Sequence, residues 1–266
     1  MAASINMEVA TTTERKTAPT VFFIPGAWHE PWVFDSVRSI LSARGFETEA
    51  SSLATIGSAD PSGGLHVDAA KIRSVLTRLV NEGKEVVLVA HSYGGIVASN
   101  SVDGLGIKQR AASGVKGGII MILYLAAFAI PVGTNLLMNF GGSYAAWWNI
   151  SKDFFTPIEP LDVFYDDVEA SLAEKAVAAL KPMPLQIVKE KSAYDPRGTF
   201  EAGYIFAEKD RALPISTQNA MFSLFPAGSF SARLDSSHSP FLSMPDTLAD
   251  TIENAAKYVL AKRSSE

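Results

Sequence analysis

Apolar positions along this chain fall into two rhythms, and the two alternate. Short continuous runs predict buried strands: TVFFIPG at 20–26, VVLVA at 86–90, GGIIMILYL at 117–125 and GYIFAE at 203–208. FETEAS (46–51) alternates like a half-exposed strand, and FSARLD (230–235) is read as a further strand. Between them lie helical spacings. Residues 31–44 end at Gly45. From Val67 to Asn81 the apolar positions Val67, Ala70, Ile72, Val75, Leu76 and Leu79 fall at helical spacing, and the run stops before Gly83. Further helices are predicted after Gly95, over 214–225 and over 246–261. Strands alternating with helices predict an α/β fold with a mostly parallel sheet, helices covering both faces.

Residues 132–196 break this rhythm. They are rich in aromatics, punctuated by five prolines, and clearly helical only from about Val168 to Leu180. They read as an inserted helical lid over one end of the sheet, with a core of its own. The expected organisation is a loose tail over 1–19, a core made of 20–131 and 197–266, and a lid over 132–196.

Composition narrows the function classes. There is no cysteine among the 266 residues, so disulfides, thiolate metal centres and a thiol nucleophile are excluded. The net charge is −5 with no basic stripe, which argues against nucleic acid as a partner. Residues 1–19 lack the apolar segment of a secretory leader. The longest apolar run, 119–131, is too short to span a bilayer and ends in proline. A cytoplasmic protein is expected; its oligomeric state is left open.

The candidate chemistry sits where a strand runs into AHSYGG. A strand, a sharp turn and a helix would lift Ser92 to the carboxyl edge of the sheet in a strained conformation. The turn needs small neighbours two residues away, and they are Ala90 and Gly94. Ala90 replaces the more usual glycine, so slight crowding is expected. Taken alone, the same pattern also suits a serine that merely caps a helix.

A serine nucleophile needs a base, and the base needs a carboxylate. Of four histidines, His29 and His66 lie upstream, and His91 is expected to point off the opposite side of its strand. His238, in the loop after the last strand, remains. Asp210, in the turn after GYIFAE, is the matching acid; Glu208 is its nearest rival, and Asp235 lies too close in sequence to His238. Asp210 also reads as a turn or cap residue, and His238 as an ordinary loop histidine. Two backbone N–H groups, of Ala27 in FIPGAWHEPW and of Tyr93, are the candidate oxyanion donors.

Four stretches, FIPGAWHEPWVF, VVLVAHSYGG, YIFAEKDRALP and DSSHSPFLSMPD, together resemble the α/β-hydrolase superfamily. The narrower likeness is to its salicylate-type methylesterase and hydroxynitrile lyase branch, with related small fungal and bacterial esterases. The resemblance spans about residues 20–262 and implies the α/β-hydrolase fold with Ser92, Asp210 and His238 as its triad. Lyases of that branch carry threonine in the oxyanion loop and lysine after the catalytic histidine. Here Gly26 and Ser239 stand at those positions, so hydrolysis is favoured.

The implied reaction is acyl transfer through Ser92, requiring neither metal nor organic cofactor. His238 must be neutral to act, so activity should rise with pH. Trp28, Phe128, Trp147, Trp148 and Phe164 are the candidate pocket, suited to a small apolar or aromatic ester. A lactone, a thioester or a β-diketone carbon–carbon bond is an alternative target. A receptor-like protein with a vestigial triad is another.

Overall fold

The computed structural model describes residues 18–265. The expected tail over 1–19 therefore lies almost wholly outside the described residues. In chain order the first half comprises β1 (Thr20–Ile24), α1 (Asp35–Ala43), β2 (Thr48–Ala50), α2 (Leu65–Asn81), β3 (Glu85–His91), α3 (Gly94–Ser101), α4 (Ile107–Ala112) and β4 (Gly118–Leu125). An inserted stretch follows: α5 (Leu136–Asn139), β5 (Trp148–Ser151), β6 (Phe154–Pro157), α6 (Pro160–Phe164), α7 (Ala170–Ala179), β7 (Met183–Pro184) and α8 (Gln186–Lys189). The chain closes with β8 (Ala202–Ala207), α9 (Ile215–Phe222), β9 (Phe230–Leu234), α10 (Pro240–Ser243) and α11 (Pro245–Ser264).

Six of these strands form one parallel sheet in the order β2-β1-β3-β4-β8-β9. The central pair explains the continuous apolar runs. Every residue of β4, and every residue of β3 after Glu85, is buried. A parallel strand covered on both faces has no polar side, and each buried Val, Leu or Ile contributes about 1.5–3 kcal/mol. On the edge strand β9, half-buried positions alternate with exposed ones, and only Leu234 is buried.

From β1 the chain steps outward to β2 and then crosses back to β3 on the other side of β1, so the strand order reverses between β1 and β3. Ligands in open α/β sheets gather at the carboxyl ends of strands beside such a reversal. Ser92 follows β3 immediately. Ala90 is fully buried and keeps its register with Ile24 and Tyr124, so the methyl that replaces the usual glycine leaves the strand pairing intact.

The insertion is only partly helical. Besides α5 to α8 it carries a small antiparallel sheet, β5-β6-β7, which the sequence reading lacks. These strands have two to four residues, too few to show a period. None of the described helices is long and apolar enough to cross a membrane.

Candidate active site

Four short segments converge at the carboxyl edge of the sheet. The first is the turn at Ser92, whose φ is +54°, in the left-handed region that non-glycine residues rarely occupy. Its backbone is pinned on both sides. Ser92 N–H donates to the Leu125 carbonyl (3.2 Å), and the Ser92 carbonyl accepts from Gly95 (3.0 Å) and Phe128 (3.1 Å). The following glycines have no room for a side chain. A Cβ on Gly94 would stand 2.6 Å from the Pro25 carbonyl oxygen; one on Gly95 would stand 2.7 Å from that of Phe128. A strain of about 1–3 kcal/mol at Ser92 is thus held by surroundings that admit no alternative.

The second segment is the loop after β1. Gly26 packs flat against the turn: a Cβ there would meet the Ser92 Cβ at 2.8 Å and His91 Nδ1 at 2.9 Å. Trp28 also has a left-handed φ, +65°. All its polar groups are held by the insertion. Its backbone N–H donates to Met183 Sδ (2.9 Å), its indole N–H to the Phe155 carbonyl (3.1 Å), and its carbonyl accepts from Lys181 N–H (3.1 Å).

The third and fourth segments supply the acid and the imidazole. Asp210 Oδ2 accepts from His238 Nδ1 at 2.7 Å, with both side chains buried. Asp210 Oδ1 accepts from the N–H groups of Ala212 and Leu213, each at 2.8 Å, so the turn after β8 fixes the carboxylate. Gln218, buried on α9, adds a contact to Oδ2 at 3.3 Å and bonds both backbone groups of Ala207. With the proton on Nδ1, Nε2 of His238 presents a lone pair. The rivals are engaged elsewhere, Glu208 with Arg233 and Asp235 with Lys209, both on the surface.

Ser92 and His238 line one chamber of ≈ 20 Å³. Ala27, Tyr93, Trp28, Phe128, Trp147, Trp148 and Phe164 line it too, so every residue singled out for the pocket or the oxyanion donors is brought to this one place. Leu136, Phe140, Ala212 and Leu213, which the sequence reading missed, complete it. The walls are interlocked rings: Trp28 meets Phe155, Phe164 and Trp147 at 5.0, 5.7 and 5.7 Å, and Trp147 meets Phe164 at 5.4 Å, spacings typical of edge and offset contacts. Phe164 leans on the His238 ring at 5.6 Å.

His91 does not point away from the site, as the sequence reading expects. The strand ends at His91, and the left-handed turn at Ser92 breaks the two-residue alternation that the expectation assumes. His91 Nε2–H donates to the His238 carbonyl at 2.9 Å, and the two rings lie 4.5 Å apart. Burial, with the neighbouring His238 and His29, holds His91 well below the ordinary histidine range, so it stays neutral. His29 is also part of the site's frame. Its Nδ1–H donates to the Ala27 carbonyl (2.6 Å), and its Nε2 accepts from Tyr165 (2.6 Å). Burial pushes its pKa down to about 4. His66, by contrast, is on the surface.

One more buried carboxylate braces the turn. Asp68 on α2 accepts from Tyr93 Oη (3.0 Å), Thr55 Oγ1 (2.7 Å) and Thr55 N–H (2.9 Å), while burial raises its pKa. Among the described residues no group of three or more His, Cys, Asp or Glu side chains is arranged to hold a metal ion.

Comparison with known proteins sets this geometry in context. A family model described as "Alpha/beta hydrolase family" matches residues 21–251. The chain is 27% identical over 245 residues to alpha/beta hydrolase nvfD of Aspergillus novofumigatus, covering 90% of this chain and 96% of that protein. It is 26% identical over 260 residues to methylesterase 7 of Arabidopsis thaliana, covering 88% and 95%. The crystal structure of a pyrethroid hydrolase from Sphingobium faniae superposes with a TM-score of 0.71 at 20% identity, covering 90% of this chain and 97% of that one.

Proposed function

The chain belongs to the alpha/beta hydrolase family, and from that premise we propose that it is a serine esterase cleaving small apolar or aromatic carboxylic esters. The observation that carries this reading is one arrangement: His238, hydrogen-bonded to Asp210 at 2.7 Å, shares an aromatic-walled chamber with the left-handed turn at Ser92. The name of the methylesterase relative supports the same bond type.

In the proposed reaction Ser92 Oγ attacks the ester carbonyl while His238 Nε2 takes its proton. Asp210 keeps Nδ1 protonated and stabilises the imidazolium that forms. The N–H groups of Ala27 and Tyr93 bind the oxyanion. As the tetrahedral species collapses, His238 passes its proton to the leaving alkoxide and the alcohol departs. Water, deprotonated by His238, then attacks the acyl-enzyme and frees the acid and Ser92. Residues 132–196 act as a lid that supplies the rings of Phe140, Trp147, Trp148 and Phe164 to the chamber. Excluding water there strengthens every polar contact to the developing charge.

A fluorophosphonate probe followed by intact-mass measurement tests this reading. The expected result is a single adduct on the wild type, none on Ser92→Ala, and hydrolysis of p-nitrophenyl acetate by the wild type alone. No adduct and no hydrolysis by the wild type would make the protein a binder instead.

A further inference from the structure

The chamber at Ser92 is small. Its ≈ 20 Å³ barely exceeds the roughly 10–15 Å³ that one water requires. Any substrate larger than its reacting group must therefore extend outward, and two further hollows show where. One, of ≈ 300 Å³, shares Phe128, Phe140, Trp147, Ala212 and Leu213 with the chamber, so a single layer of side chains divides the two. The next, of ≈ 480 Å³, shares Asn139 and Thr217 with the first and opens between α5 and α9. Its floor includes Ala129, Pro131, Met138, Met221 and Leu224.

Two properties of this track bear on its occupant. Along all three hollows the only side chain of fixed charge is Arg211, and Asp162 and Asp166 engage it. At the outer end Met138 and Leu224 are 52% and 55% exposed, large apolar side chains facing solvent at the mouth of a groove. A charged tail finds no free counter-ion here, whereas a hydrocarbon tail meets mainly apolar side chains, with Asn139 and Thr217 the polar pair where the two outer hollows join.

We propose that the groove between α5 and α9 is the outer part of the substrate site, and that it takes a long, uncharged hydrocarbon tail whose ester group lies at Ser92. The inference rests on the esterase reading and adds the substrate class to it. The reacting end stays in the tight chamber, the middle of the tail passes Phe128, Phe140 and Trp147, and the distal carbons lie on Met138 and Leu224.

Two ester series test it, p-nitrophenyl alkanoates from acetate to dodecanoate and alkyl acetates from methyl to dodecyl, one placing the tail on the acid and the other on the alcohol. In at least one series kcat/KM should climb by up to ~4-fold for each methylene buried. Met138→Glu and Leu224→Glu change exposed positions. They should leave p-nitrophenyl acetate turnover unchanged and lower kcat/KM for the longest active ester at least tenfold. Binding of 1-decanol, followed by tryptophan fluorescence, should weaken in the same variants; this readout needs no turnover, so it separates a failed groove from a failed esterase. Rates flat with chain length in both series, variants that affect short and long esters alike, or variants that instead change the sedimentation coefficient would overturn the proposal.

Discussion

Lowering the pH should destabilise this protein by an amount that His29 lets one work out. His29 is buried between the Ala27 carbonyl and Tyr165, and burial pushes its pKa from 6.5 to about 4. The unfolded chain, with the ordinary value, binds a proton that the folded chain refuses between those two limits. Stability is therefore complete above pH 6.5 and falls as pH drops toward 4. At about 1.36 kcal/mol per unit, the 2.5-unit gap between the two values amounts to roughly 3 kcal/mol. That is a large share of the about 5–15 kcal/mol typical of a folded domain. His91, also lowered by burial, adds loss of the same sign. Asp68, raised by burial, acts in the opposite sense above its ordinary value, and its effect is common to any pair of variants that retain it. The assay is urea unfolding of wild type and His29→Gln at half-unit steps from pH 7 to 4.5. Glutamine cannot titrate, so its stability should fall less steeply with acid, by about 1.4 kcal/mol per pH unit at most. Equal slopes for the two proteins would refute the argument, whatever their stabilities at pH 7.

Three substitutions probe the rest of the frame. Asp210→Asn removes the acceptor that fixes the His238 tautomer, and kcat for p-nitrophenyl acetate should drop about 10³–10⁴-fold while circular dichroism stays unchanged. In Gly94→Ala the new Cβ would meet the carbonyl oxygens of Pro25 and Ile24 at 2.6 and 2.9 Å, and backbone cannot step aside cheaply. A loss of about 1–3 kcal/mol in thermal or urea unfolding, together with lower activity, is expected; wild-type stability would contradict the packing described. Ser92→Gly should abolish turnover yet raise the melting temperature, because glycine adopts a φ of +54° without strain. A lower melting temperature would count against strain at the turn.

The middle of the sheet was legible because its inner strands are buried on both faces, and an unbroken run such as residues 86–90 has few other readings. The convergence of Asp210 and His238 followed from chain order, since both sit in loops leaving the same edge of neighbouring strands. The insertion was less readable. Prolines and aromatics dominate it, and a strand such as Met183–Pro184 has no period at all. Leu136 and Phe140 were missed for a related reason: they flank or begin a four-residue helix that no hydrophobic pattern announces. His91 was misplaced because alternation was carried one residue too far, past the point where the strand gives way to the strained turn. Gln218 and Asp68 left only a faint trace, single polar residues on otherwise ordinary helices, and their role depends on partners far away in sequence.

The tethering of Trp28 has a consequence for anyone who would re-engineer this chain. Since Lys181, Met183 and Phe155 grip the loop that carries Ala27 and Trp28, residues 132–196 are not an interchangeable cover. A chimaera that borrows this stretch from a cousin in order to inherit its preferences also replaces the clamp on the loop that lies against Ser92. Transplants that bring a matching residue 28 along with the borrowed stretch should keep working, and those that do not should lose turnover before they lose their shape.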